Sequence, residues 1–379
     1  MNWDRIWASL QVLTHSMATD MANRRQFLAG LLATGLAPVT TWADAGFPAF
    51  LSAAMTTNGS YVLCGINATA QVVFQLPLPA RGHAAAAHPT QPIAVAFARR
   101  PGTFAIIIDC ISGKAIATLA APKGRHFYGH GAFSLDGSRL YTTENDFEAG
   151  AGRVGVWDVT RNYARITDFR SGGIGPHDIK RLPQTDVLVV ANGGIDTHPD
   201  TGRTKLNIPS MTPNISYILD GSVVETCTLA PEMHKNSIRH LAVTIDGQVA
   251  FGMQWQGENT PPALVGTHRR GAALNLMEAQ PEQLRPMKGY VGSVAFSGNG
   301  DEVIVTSPRG GLIQQYNLAD NVLTNSIDLL DASGAAMTDM GVMISTGTGA
   351  LVNVAQGKTV NRQIAGLQWD NHLVSITAG

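Results

Sequence analysis

Five histidines in this chain, His83, His130, His177, His240 and His372, each stand at the head of a short apolar run. Examples are HAAAAHPTQPIAVAF from 83, HGAFSLDGSRLYTTEND from 130, HDIKRLPQTDVLVVAN from 177 and HLAVTIDGQVAFGMQ from 240. The first four are separated by about 47, 47 and 63 residues, and His372 follows after about 132 more. Imidazole ligates iron, copper, zinc and nickel, so a set of histidines brought to one place could hold a transition metal. A second chemical candidate is the polar segment NGGIDTHPDTGR, 192–203, which carries Asp196, His198, Asp200 and Arg203. As a calcium loop it fails, because Pro199 takes the fourth position, Thr201 the sixth and Asn207 the twelfth, where such a loop needs Gly at six and Glu at twelve. Asp200-Thr201-Gly202 follows His-Pro rather than an apolar strand, which argues against an aspartic-protease motif. The chain has no His-Glu-x-x-His and no Cys/His set with zinc-finger spacing.

The elements that must position these residues recur. One unit repeats along the chain: a short apolar strand, a turn carrying Asp-Gly or its like, a second strand, a variable loop and two further strands. Its segments are four to seven residues long, rich in Val, Ile, Leu and Ala, and bounded by Gly, Asp, Asn or Pro, which marks strands rather than helices. A period of about 45 residues with four antiparallel strands is that of a β-propeller. The ends complete the count. FLSAAMTTNGSYVLCGINATAQVVFQLPLP, 50–79, holds three strands, and WDNHLVSI, 369–376, is a lone strand like the first strand of a repeat. Pairing them makes one blade from both termini and removes the open edges of the ring. The prediction is an all-β, seven-bladed propeller of four-stranded antiparallel blades: 372–376 with 50–80, then 83–122, 130–172, 177–231, 240–285, 291–332 and 335–368.

In this register the five histidines open innermost strands and project to one mouth of the central channel. The other two blades carry Tyr290-Val291-Gly292 and Met337-Thr338-Asp339 there. Loops joining second and third strands emerge on the same face, at 99–102, 144–152, 193–215, 254–266 and 307–310. They gather Glu144, Asp146, Glu148, Asp196, His198, Asp200, Arg203, Gln254, Gln256 and Arg309 around the histidines. Long polar loops on a rigid scaffold are where ligands bind. Glu144, Asp146, Asp196, His198, Arg203 and Gln254 are therefore expected to line a cofactor site whose metal ligands are the five histidines.

The composition of the 379 residues, 44% hydrophobic and 15% charged with 40 glycines, suits a turn-rich globular protein. A net charge of -1 argues against nucleic-acid binding and removes most support for membrane-surface binding. Cys64, Cys110 and Cys227 are widely spaced and read as buried small hydrophobes. Near the N-terminus, NRRQFL with Arg24 and Arg25 precedes the uncharged AGLLATGLAPVTTWA and the small-residue site Ala43-Asp44-Ala45. That pattern resembles a twin-arginine export signal, too short for a membrane span, with Met17 or Met21 as the start. The expected organisation is an N-terminal extension and signal over 1–45 and a periplasmic propeller over 46–379, with no membrane span in the mature form.

The segments TENDFEAGAGRVGVWD (143–158), PHDI (176–179), GGIDTHPDTGRTKLN (193–207), NSIRHLAVTIDGQVAFGMQWQG (236–257) and WDNHLVSI resemble the domain of unknown function 1513 family of exported bacterial propellers. That resemblance covers nearly the whole chain after the signal. It implies a periplasmic seven-bladed propeller, often encoded beside imelysin-like and di-haem-peroxidase-like proteins linked to iron uptake, and brings no established activity. More loosely, the fold is similar to the propeller of nitrous-oxide reductase, whose hub histidines hold a copper cluster. Two blades here lack a hub histidine and no cupredoxin domain follows, so that chemistry does not transfer.

Three functions compete. The first is an accessory protein of iron acquisition that binds iron, copper or haem at the histidine-lined mouth. The second is a non-catalytic scaffold presenting its loops to an imelysin-like periplasmic partner. The third is a hydrolase or lactonase in which Glu144, Asp146 or Asp196 holds a divalent cation. No Gly-x-Ser-x-Gly elbow supports nucleophilic hydrolysis, so an enzyme is the less expected outcome.

Overall fold

The computed structural model describes residues 39–99, 102–202, 204–355 and 358–376; the twin-arginine pattern and Arg203 lie outside them. From Trp42 onward the chain is one compact unit. Its strands, β1–β28 in chain order, form seven separate four-stranded antiparallel sheets, the blades of a propeller. The innermost strands are β28 (Leu367–Ser375), β4 (Gly82–Ala87), β8 (Arg125–Phe133), β12 (Pro176–Arg181), β16 (Asn236–Val243), β20 (Ser293–Phe296) and β24 (Ala332–Thr338). β28 pairs with β1 (Phe50–Thr56), followed by β2 (Tyr61–Ile66) and β3 (Val72–Leu78), so one blade is built from both ends of the sequence.

The blades adhere because each sheet is apolar on both faces. Seven hydrophobic clusters lie one at each junction, for example Phe97 and Ile107 of blade two against Phe133 and Trp157 of blade three. At the closing junction Leu367, Trp369 and Leu373 of β28 pack on Met343 and Leu351 of blade seven. No blade buries its faces alone, so closure of the ring is a condition of stability. The Asp-Gly turns have a common physical basis. In Ser134–Gly137, Asp136 accepts from the Ser134 hydroxyl and the Ser138 amide, while Gly137 takes φ of 74°, which costs glycine nothing.

Several boundaries differ from the sequence reading. β8 begins at Arg125, β16 at Asn236 and β28 at Leu367. His130, His240 and His372 thus sit within their strands, whereas His83 and His177 are second residues of theirs. Blade seven runs from Ala332 to Gln363, because Leu367 and Trp369 pair with Thr56 and Ala54 of blade one. Met337 and Thr338 are the last residues of β24, and the register break of that strand, where the histidines fall in their own blades, lies at Ser333 and Gly334. The segment from Trp42 to Gly46 turns against the junction of blades one and two, where Ala45 is buried and Trp42 Nε1 donates to the His88 carbonyl.

Candidate metal centre at the propeller hub

Each of the five histidines lies in or beside a break in the pairing of its innermost strand. The register shifts between Gly82 and Ala85, Phe127 and Gly131, Pro176 and Asp178, and Ile238 and His240, and beside His372 where β28 pairs with β1. A bulge leaves residues unpaired and turns their side chains away from the regular sheet face. Here it aims the imidazoles along the channel. Gly129, at φ of 98°, is required by this packing: a Cβ there would meet His83 Cδ2 at 2.5 Å.

The five rings form one cluster. His83, His177, His240 and His372 make a four-sided array with centroid separations of 5.9, 4.9, 5.2 and 4.6 Å around its edges. His130 reaches all four, at 5.1, 5.1, 6.4 and 4.7 Å in the same residue order. His130, His240 and His372 are buried, and His83 and His177 are partly so. One ring nitrogen from each of His83, His130 and His177 lies within 4.8 Å of the other two. With metal–nitrogen bonds of about 2.0–2.1 Å, three ligands around one ion stand about 3.3–3.6 Å apart, so the three rings would close in by up to about 1.5 Å to share an ion.

Hydrogen bonds fix which nitrogens face the cluster. His177 Nδ1 lies 3.0 Å from the Arg239 carbonyl, which can only accept, so this nitrogen carries the proton and Nε2 keeps its lone pair. His130 Nδ1 lies 3.1 Å from Asp178 Oδ1. Asp178 is itself oriented by the amides of Ile179 and Leu241, and Lys180 Nζ stands 3.4 Å away. Burial opposes ionisation of Asp178, yet Lys180 and His130 hold its carboxyl well below the usual carboxylate range. A carboxylate that orients a ligating imidazole is the usual second layer of a metal site. The sequence reading missed Asp178, although His-Asp in PHDI was its one visible signal.

What remains is a concentration of unused donors. His83 Nδ1, His130 Nε2, both ring nitrogens of His240, and His372 Nε2 are buried without a hydrogen-bond partner. Buried polar atoms are nearly always paired, and these nitrogens, clustered at one spot, have no partner from the protein itself. Burial first, and then the neighbouring rings and cations, holds His83, His177 and His372 well below the ordinary imidazole value. Burial likewise brings His240 down to about 3. Imidazoles kept neutral are the form that binds a metal. Beside them a cavity of about 40 Å³, lined by His130, Asp178, Lys180, His240 and His372, has room for an ion and a water. Ser293 and Ala335, small residues of the two blades without a hub histidine, also line it.

The loop residues divide. Glu144 is fully buried in blade three, bound by Arg165 at 2.7 and 2.9 Å and by Arg125 at 3.4 Å. Asp146 pairs with Arg125 and Arg153 in the same network. Both carboxylates are therefore committed to arginines of their own blade. Gln254 is held at the next junction, its amide donating to the Val291 carbonyl. Asp196 and His198 lie on the loop following β13 (Leu188–Asn192). Asn145 of blade three donates to the Thr197 carbonyl, and Lys205 of the same loop donates to Gln256 of blade five, so the loop spans three blades. The His198 ring meets Phe147 edge-on at 5.0 Å, and its Nδ1 accepts from the Asp200 amide.

The comparisons with known proteins agree with this architecture. The model of a family described as "Protein of unknown function (DUF1513)" matches residues 76–376. Among solved structures the chain is similar to one titled Kuenenia stuttgartiensis hydrazine synthase, at 14% identity and a TM-score of 0.57, covering 84% of this chain and 97% of that one. It is also similar to a chain from the mitotic checkpoint complex, at 12% identity and a TM-score of 0.52, covering 74% and 76% respectively. At such identities the likeness shows the fold alone. No curated protein matches.

Proposed function

The chain belongs to that DUF1513 family, whose description assigns no activity, and from the hub itself we propose that it is a metal-handling propeller holding one transition-metal ion on neutral imidazoles. His83, His130 and His177 are the central ligands, with His240 and His372 completing the set and Asp178 orienting His130. The observation that carries this reading is the cluster of five rings, in which one nitrogen from each of His83, His130 and His177 lies within 4.8 Å of the other two and nitrogens of His83, His130, His240 and His372 are buried without a protein partner. An all-imidazole donor set suits copper and ferrous iron, and copper stands highest in the affinity order for such ligands. The small cavity beside the rings, about 40 Å³ against the roughly 300–1,000 Å³ of pockets for drug-sized ligands, favours a bare ion over a macrocycle such as haem.

A place in the periplasm is supported by the Arg24-Arg25 pattern, and a place in iron acquisition by the family resemblance. Among the described residues no helix is long and apolar enough to cross a membrane. The test is elemental analysis and metal titration of protein purified without a histidine tag. One equivalent of copper or iron bound at micromolar affinity or better is expected. Absence of bound metal together with no micromolar binding of either ion would sink the proposal.

A further inference from the structure

A second donor cluster lies far from the hub, on the outer edge between blades four and five. The outermost strand of blade four, β15 (Ser222–Thr228), places Glu225 and Cys227 two residues apart and so on one face. The third strand of blade five, β18 (Val265–His268), ends with His268 against them. Cys227 Sγ lies 3.4 Å from Glu225 Oε1 and 3.2 Å from His268 Nε2. The remaining edge, His268 Nε2 to Glu225 Oε1, is 3.7 Å. A point equidistant from these three atoms lies about 2.0 Å from each, the bond length of zinc to nitrogen and oxygen and within ~0.3 Å of that to sulfur.

We infer that Glu225, Cys227 and His268 form a binding site for a borderline divalent cation, zinc by preference, separate from the hub. The donor set of one thiolate, one imidazole and one carboxylate is that of zinc rather than of calcium or magnesium. The outer groups are already placed. Tyr217, fully buried in β14 (Asn214–Leu219), has its hydroxyl 2.7 Å from His268 Nδ1. The Gly271 amide donates to Glu225 Oε1 at 2.9 Å. Without metal, the Cys227 thiol donates to Glu225, and His268 Nε2 carries the proton that meets the Ala272 carbonyl at 2.9 Å.

Cation binding releases the thiol proton to solvent and shifts the imidazole proton from Nε2 to Nδ1, where the Tyr217 oxygen accepts it. The ring stays neutral, so one proton is released per ion. A thiol ligates a metal as its thiolate, so the cation takes the place of the thiol proton. Cys64 and Cys110 are buried in junction clusters, their thiols pushed up to about 12 by burial. Cys227 alone among the three cysteines can therefore supply an accessible sulfur ligand.

Titration of untagged, reduced protein with Co²⁺ reads this site apart from the hub, because only a sulfur ligand gives a thiolate-to-cobalt charge-transfer band in the near ultraviolet. The band is expected in the native protein and in His177→Ala, and is expected to be lost in Cys227→Ser. In the native protein, Zn²⁺ in excess of two equivalents, enough to fill the hub as well, should also slow maleimide labelling of Cys227 by at least tenfold, a readout needing no substitution. Absence of the band from the native protein, its survival in Cys227→Ser, or labelling unaffected by Zn²⁺ overturns the inference.

Discussion

The imidazole of His130 and the carboxylate of Asp178 meet at 3.1 Å across the junction of blades three and four, each only 4% exposed. Asp178 follows directly on His177, so one dipeptide supplies a proposed ligand from its own blade and orients the proposed ligand of the blade before it. Removing such an orienting carboxylate typically costs 10- to 100-fold in metal affinity. Asp178→Asn keeps the size of the side chain and should weaken copper or iron binding by that factor. Competition with a chromophoric chelator measures it; unchanged affinity would remove Asp178 from the site.

Acid should destabilise the metal-free protein in a defined window. An unfolded histidine titrates near 6.5, whereas burial holds native His240 at about 3 and His372 well below 6.5. Between those values the unfolded chain binds more protons, so stability rises with pH through the window and is fully present from about one unit above 6.5. Each such histidine costs about 1.4 kcal/mol per pH unit below 6.5. Denaturant unfolding of the apo protein at pH 7.5, 6.5 and 5.5 should show a small loss over the first step and one about three times larger over the second.

Glu144 offers the opposite case, a carboxylate that stabilises blade three without touching the hub. Its two oxygens are taken by Arg165 and Arg125, and Thr142 donates to Oε1. Glu144→Gln leaves the partly buried guanidinium groups of Arg125 and Arg165 with Asp168 as a remaining counter-charge, and weakening charged hydrogen bonds of this kind costs about 1.5–3 kcal/mol. Thermal unfolding should therefore shift down while metal affinity per folded molecule is unchanged. A large loss of metal binding with stability retained would instead return Glu144 to the site.

The blade count, the shared blade at the termini and the convergence of His83, His130, His177, His240 and His372 could be read from the sequence. A four-strand repeat and the positions of its histidines are periodic, and closure of the ring turns period into proximity. The loop chemistry of Glu144 and Asp146 was less legible, because a carboxylate beside a loop looks the same whether it faces the channel or an arginine such as Arg165. Cys227 and His268 are 41 residues apart and on different blades, so no local spacing marks them; only the packing of one outer strand against the next blade does. Asp178 escaped for a related reason, since its partner His130 lies on the preceding blade.

His240 distinguishes a ligand from a structural histidine. Both its ring nitrogens are buried without a partner, and a desolvated, unpaired polar group costs about 1–3 kcal/mol. If the ring is there for a metal, His240→Leu, close to it in volume, should abolish or strongly weaken metal binding and at the same time raise the stability of the apo protein by about 1–3 kcal/mol. If the ring instead holds blades together, the same substitution destabilises. His234→Ala is the control, because His234 is partly exposed and bonded only to the nearby Pro231 carbonyl, so neither quantity should move. Paired chemical denaturation and metal titration of the three proteins read both effects, and a destabilised His240→Leu that still binds metal would contradict the assignment of the hub.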